Sequence, residues 1–224
     1  IFFINQNLNP KEYITFAKKL GRLAKYPRLK GLSKIYPQIT VVERKKSDKG
    51  PSFGEQFHTD SSYTKKPPKF TMLLSRKVPK PGLANTEFSS QYLAYKYLSS
   101  NLKKKLSRIK GIYSSNGPIA VTTLERSNEK GKLKKELISK HKIVKKIKGR
   151  KTLYCSPGHL IDFTGKYKGN LKLKKLLTHH QIKKKFQFSL KWNKNQLAIW
   201  DNRSMLHQAT PFKGERVMHR ITIL

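Results

Sequence analysis

Two segments far apart in the chain, Phe57-His58-Thr59-Asp60 and Trp200-Asp201-Asn202-Arg203-Ser204-Met205-Leu206-His207, can serve one metal site. Only a fold that carries the second segment back to the first can use them together. Read as extended backbone, the first segment points His58 and Asp60 to the same face, because side chains two apart in a strand share a face. Two ligands are too few to hold a catalytic metal, and His207 is the candidate third. Two histidines and one carboxylate make the facial triad of non-haem Fe(II) oxygenases, which leaves coordination positions open. A His-x-Asp pair alone is common, and a solvated or core histidine is its plain alternative.

The residues after His207 weigh against that alternative. Arg216 to Ile223 reads as a strand whose period of two places Arg216, Met218, Arg220 and Thr222 on one face and Val217, His219, Ile221 and Ile223 on the other. Two arginines thus share a face close in sequence to a ligand candidate. A guanidinium is the side chain best suited to hold a carboxylate or sulfonate by paired hydrogen bonds.

In order along the chain, Phe-His-Thr-Asp, a segment ending at Thr86, Trp-Asp-Asn-Arg, the distal His207 and Arg216-x-x-x-Arg220 resemble the TauD/TfdA family of Fe(II)/2-oxoglutarate-dependent dioxygenases, from Phe3 to Ile223. The resemblance implies Fe(II) on His58, Asp60 and His207. It implies 2-oxoglutarate held at its far carboxylate by Arg216 with help from Thr86, and O₂ as the third component. Decarboxylation to succinate and CO₂ would accompany hydroxylation of the substrate. Arg220 matches the arginine that binds the sulfonate in taurine dioxygenase, which makes a small anion the expected substrate: a sulfonate such as taurine, a carboxylate or a sulfate ester. Tyr63 matches a phenylalanine wall of that pocket. Tyr26 in Tyr26-Pro27 stands where taurine enzymes have histidine, and Gly54 where they have asparagine. Leu83-Ala84-Asn85 replaces the family's commoner Gly-Asp pair before the threonine.

With 224 residues, the chain is long enough for one domain with its own core, expected over 1–224. It holds no run of apolar residues of membrane-spanning length. Ile1-Phe2-Phe3-Ile4 reads as a strand entered midway, so further residues are expected before Ile1. A single cysteine, Cys155, excludes an internal disulfide and a multi-cysteine zinc site and suits a reducing cytoplasm. Fifty Lys and Arg against twelve Asp and Glu give a formal charge of +38, which invites nucleic acid as a partner. The lysines are spread through every segment, however, with no nucleic-acid-binding motif among them. They are read as compositional bias with weak, salt-sensitive polyanion affinity and no specific nucleic-acid partner; a homo-oligomer is compatible with the sequence.

Asn9-Pro10-Lys11-Glu12 has the marks of a capped helix start, with Tyr13, Phe16, Ala17 and Leu20 on one face. Strands are expected at 39–42, 70–74 and 153–156, and helices at 91–98, 102–109 and 170–180. Phe186 to Trp192 alternates, Asn193-Lys194-Asn195 reads as a hairpin turn, and Gln196 to Trp200 returns. The Lys-rich stretch 122–151 has no clean period and is expected to be a mobile loop or lid. His179-His180, His141, His159 and His219 lack companions at ligand spacing. The element pattern suggests a mainly β protein with flanking helices (α+β), and the resemblance specifies a double-stranded β-helix, the cupin-like jelly roll. Two other readings are a polyanion-binding protein on an inactive oxygenase scaffold and a dioxygenase acting on a carrier-bound amino acid.

Overall fold

The computed structural model describes residues 1–26, 29–124 and 135–224. Its strands, in chain order, are β1 (Phe2–Phe3), β2 (Leu23–Ala24), β3 (Thr40–Arg44), β4 (Phe70–Lys77), β5 (Thr86–Ser90), β6 (Lys110–Ser114), β7 (Ile138–Lys142), β8 (Val144–Ile147), β9 (Arg150–Leu153), β10 (Leu160–Phe163), β11 (Gln187–Leu190), β12 (Leu197–Asp201), β13 (Met205–Ala209) and β14 (Arg216–Ile223). The helices are α1 (Pro10–Lys18), α2 (Gln91–Lys96), α3 (Ser100–Leu106), α4 (Ala120–Leu124) and α5 (Leu171–Gln181).

Two antiparallel sheets face each other. The larger runs β1-β12-β4-β14-β2, with β3 also paired to β14, and the smaller runs β11-β5-β13. Their inner faces share one core, in which Val42, Leu73, Trp200 and Met218 from the larger sheet meet Phe88 and Leu190 from the smaller. The opposite face of the larger sheet packs Met72, Leu74, Leu197, Ile221 and Ile223 against Tyr13 and Ala17 of α1. Met72, Leu74, Ile221 and Ile223 are at most 1% exposed. Each such side chain contributes roughly 1.5–3 kcal/mol by leaving water. The alternation expected for β14 is therefore realised: Arg216, Met218, Arg220 and Thr222 are buried, and Ile221 and Ile223 face α1. The capping box of α1 also forms, with Asn9 Oδ1 accepting from the Glu12 amide at 3.0 Å and Glu12 Oε2 accepting from the Asn9 amide at 2.8 Å.

The hairpin expected around Asn193-Lys194-Asn195 is not one. β11 pairs with β5 in the smaller sheet, whereas β12 pairs with β1 and β4 in the larger, so the turn carries the chain from one sheet to the other. Alternation marks both strands but cannot say whether they pair. From β11 to β14 the chain changes sheet at every step, and this winding brings the distal histidine inward.

The loop expected over 122–151 also needs correction. From Ile138 onward this stretch forms β7, β8 and β9, while residues 125–134 lie outside the described residues. Lys140, Lys142, Lys146 and Lys148 are exposed, Lys145 lies over the Tyr154 ring, and Ile143 and Ile147 are buried. Lys148 (φ +44°) and Gly149 (φ +81°) close a two-residue hairpin with Ile147 opposite Arg150, the left-handed pair such turns require. Together with β6, β10, α2, α3 and α5 these strands enclose a second core around Tyr113, Leu106, Leu153, Leu160 and Leu177. No described helix is long and apolar enough to cross a membrane.

On the outer face of β14, His219 is half-buried, and burial followed by the nearby Arg76 charge pulls its pKa down to about 4. Its ordinary value is near 6.5, so between pH 6.5 and 4 the unfolded chain binds the extra proton and the folded chain does not. Stability from this residue is complete above that window and is lost as pH falls through it. The loss is about 1 kcal/mol once solvent screening of a half-exposed ring is allowed for. Urea midpoints measured across the window should show a shallower slope for His219→Gln; an identical slope would refute the assignment.

Candidate metal and anion site

His58 and His207 lie opposite each other as an antiparallel bridge, each amide donating to the other's carbonyl at 3.0 and 2.9 Å. The bridge joins the proximal segment to β13, whose His207 also stands opposite Phe88 of β5. The proximal segment is not a strand as expected. His58 is a single bridge residue, and a turn starts at Asp60, with Ser61 in the left-handed region at φ +43°. The turn nevertheless returns the carboxylate to the imidazoles: Asp60 Oδ1 lies 3.6 Å from His58 Nε2 and 3.6 Å from His207 Nε2. Among the described residues, His58, Asp60 and His207 are the one group of three or more His, Cys, Asp or Glu side chains whose ligand atoms all lie within 4.8 Å of one another. All three are buried.

The protonation pattern suits a metal. His58 Nδ1 is 2.7 Å from the Gln56 carbonyl, which can only accept, so Nδ1 carries a proton and Nε2 is the ring nitrogen turned toward Asp60. His207 is gripped between the rings of His58 and Trp200, with centroids 4.2 and 4.6 Å away. Burial, then the His58 charge, hold its pKa well below the usual histidine value, so it is neutral at pH 7. For Asp60, burial pushes upward but is outweighed by Arg220 first and then by His207 and His58, and the carboxyl sits well below its ordinary range. Asp60 is ionised, with Arg220 Nη2 3.0 Å from Oδ1.

The ligand group opens into a cavity of about 450 Å³, mouth included, lined also by Thr86, Arg216, Arg220, Phe53, Gly54 and Trp200. Arg216 donates from Nη1 to the Ala84 carbonyl at 3.1 Å and lies 4.9 Å above the Phe212 ring. Thr86 Oγ1 accepts from the Trp192 indole at 2.9 Å. Ala84 takes φ +55°, a left-handed backbone in the segment where the sequence departs from the glycine-containing pattern. That conformation costs an alanine roughly 1–2 kcal/mol. Ala84→Gly is expected to leave stability unchanged or raise it by up to about 1 kcal/mol, because glycine also loosens the unfolded chain. Urea unfolding checks this, and a loss above 1 kcal/mol would refute it.

Two expected site residues fall elsewhere. Tyr63 is buried in the second core, edge-on to His159 with centroids 5.0 Å apart, and is not among the cavity-lining residues. The turn starting at Asp60 carries it there, whereas extended backbone would have kept it near the ligands. Tyr26 does not line the cavity either; its ring lies under Arg220, 4.7 Å from the guanidinium carbon. Pro27 lies outside the described residues. Sequence reasoning missed Gly158, which lets the chain pass His58 so closely that an added Cβ would sit 3.0 Å from the His58 Cβ.

The description "Taurine catabolism dioxygenase TauD, TfdA family" belongs to a family model that matches residues 1–222. The chain belongs to the TauD/TfdA family. Membership makes it an α-ketoglutarate-dependent dioxygenase by class, an oxidoreductase type that uses Fe(II), 2-oxoglutarate and O₂. A Schizosaccharomyces pombe protein named for alpha-ketoglutarate-dependent sulfonate dioxygenase activity is 32% identical over 171 residues, covering 75% of this chain and 43% of that protein. The chain therefore spans less than half the length of that relative. The alpha-ketoglutarate-dependent 2,4-dichlorophenoxyacetate dioxygenase of Cupriavidus pinatubonensis is 26% identical over 247 residues, covering 100% of this chain and 84% of the relative. A taurine dioxygenase crystal structure from Burkholderia xenovorans superposes with a TM-score of 0.80 at 23% identity, over 99% of this chain and 74% of the other. The sheet-to-sheet winding of this TauD/TfdA member is thus the jelly roll.

Proposed function

We propose that this chain hydroxylates a small anionic substrate, with Fe(II) held by His58 Nε2, Asp60 Oδ1 and His207 Nε2. The donor set of two imidazoles and one ionised carboxylate, with no thiolate, fits a facial Fe(II) site. When bound, Fe(II) together with 2-oxoglutarate and O₂ supplies the oxidation of a C–H bond, coupled to formation of succinate and CO₂. Arg216 and Thr86 are the residues that would receive the far carboxylate of 2-oxoglutarate, the guanidinium by charge-assisted bonds and the hydroxyl by its own proton.

The observation that carries the anionic substrate is the charge of the cavity wall. Among the described residues that line it, Asp60 is the single carboxylate, set against two buried guanidiniums, Arg216 and Arg220. A dication and dianionic 2-oxoglutarate leave one positive charge unmatched, and a buried surplus of charge favours a partner of opposite sign. Arg220, 3.0 Å from Asp60, is the residue assigned to it in this reading. Taurine is the leading single candidate, with other sulfonates, carboxylates and sulfate esters beside it, because Tyr26 and Gly54 differ from the taurine-enzyme pattern. A cytoplasmic setting belongs to the same reading, in keeping with one buried thiol.

Arg220→Gln tests this. With an anionic substrate found by screening sulfonates and carboxylates for succinate release, KM should rise by roughly 10- to 100-fold, the worth of one lost charge-assisted contact of about 1.5–3 kcal/mol. An unchanged KM would remove Arg220 from substrate recognition.

A further inference from the structure

Several buried polar groups converge on the oxygen of Asp60 that does not face the histidines. Oδ2 accepts from Thr71 Oγ1 at 2.5 Å. Thr71 Oγ1 in turn accepts from Asn202 Nδ2 at 2.8 Å, and Asn202 Oδ1 accepts from the Trp200 indole at 3.1 Å. The directions are forced by chemistry. An indole N–H can only donate, so it must meet the amide oxygen of Asn202, which turns the NH₂ toward Thr71. Because that NH₂ occupies the hydroxyl as acceptor, the one hydroxyl proton goes to Asp60. Thr71 and Trp200 are cross-strand neighbours on β4 and β12, and the Thr59 hydroxyl donates to the Asn202 carbonyl. Thr71 is 0% and Asn202 1% exposed, so water does not compete.

We propose that Thr71 and Asn202 are positioning residues that make Asp60 a one-oxygen ligand. Their chain of hydrogen bonds commits Oδ2 to the protein, so Oδ1, which lies 3.6 Å from both imidazoles and 3.0 Å from Arg220 Nη2, is the oxygen whose remaining lone-pair direction a metal can take. A carboxylate free to turn would offer both oxygens and take a second coordination position. Holding it by one edge keeps open the positions that a co-substrate binding through two atoms and a third small molecule require. The indole contributes twice, because Trp200 also packs against the ring of His207. This inference rests on the proposed metal site.

Mn(II) titration followed by electron paramagnetic resonance, with water-proton relaxation of the bound ion, tests it. Thr71→Val keeps the buried volume and removes both the donor to Asp60 and the acceptor of the Asn202 amide. It should weaken Mn(II) binding by roughly 10- to 100-fold, as loss of a ligand's hydrogen-bond partner does elsewhere, and should lower the relaxation enhancement. Thr71→Ser should restore both even if it melts earlier, which a merely structural role would not produce. A folded Thr71→Val protein with native affinity and native relaxation overturns the proposal. Should that variant not fold, Trp200→Phe keeps the ring beside His207 and removes the indole donor. A shift of about 3- to 10-fold in the same direction is expected there, and no shift overturns the proposal. The metal-site reading fails separately, and takes the proposal with it, if the native chain does not bind Mn(II) or if His207→Ala binds it equally well.

Discussion

Asp60→Asn is expected to weaken metal binding by on the order of 10²–10³-fold and to abolish succinate formation. Losing a ligand must cost more than the 10- to 100-fold typical of losing a ligand's hydrogen-bond partner. The amide keeps the shape of the carboxylate but not its charge, and the two histidines alone do not make a facial set. Stability falls as well, because Arg220, 4% exposed and 3.0 Å from Asp60, loses its counter-charge. Breaking such a buried pair costs about 3–5 kcal/mol. His207→Ala separates the two effects. It removes a neutral imidazole while the backbone bridge to His58 remains, so metal binding should fall as far with a smaller stability loss. Calorimetric metal titration and urea unfolding of both variants read the two quantities independently. If both variants keep metal affinity and succinate formation, the triad is not the site. A polyanion-binding protein on an inactive scaffold would instead show native nucleic-acid affinity in both variants and no 2-oxoglutarate turnover in the parent.

Arg216→Lys should raise the dissociation constant for 2-oxoglutarate by about 10- to 150-fold while changing kcat far less. The guanidinium already spends one N–H on the Ala84 carbonyl and sits over the Phe212 ring at 4.9 Å, with Arg44 over the same ring at 5.6 Å. A planar multi-donor group can keep that bond and still present a fork to a carboxylate, which a single ammonium cannot. Loss of a charge-assisted contact is worth roughly 1.5–3 kcal/mol, which gives the range stated. Thr86→Val should have a smaller effect, near 5- to 10-fold, because a neutral hydroxyl contributes about 1 kcal/mol. Equal effects of the two changes, or a fall in kcat without a change in affinity, would contradict these roles.

Much of the site was legible because it depends on short spacings. The period of two in β14 puts Arg216 and Arg220 inside, and His207 needs only to follow a chain reversal. What the sequence hid depends on the turns that connect strands and on contacts between distant segments. Ser61 takes a left-handed backbone with no glycine to announce it, and the turn there sends Tyr63 away from the cavity while keeping Asp60 in place. The step from β11 to β12 looks like any hairpin until its pairing partners are known. Lys148-Gly149 was a readable turn signal, masked by the lysines around it. Thr71 and Asn202 stood in segments already singled out, yet nothing in periodicity tells that a threonine on β4 meets an asparagine 131 positions later.

The most direct measurement is anaerobic addition of 2-oxoglutarate to the Fe(II)-loaded chain, watched in the visible range. A weak charge-transfer band that saturates at one equivalent, is missing in Asp60→Asn and shifts with one member of a panel of sulfonates and carboxylates is the predicted result. No band from folded, iron-loaded protein would contradict the account, because the cavity would then hold a metal without the co-substrate that Arg216 and Thr86 are proposed to receive.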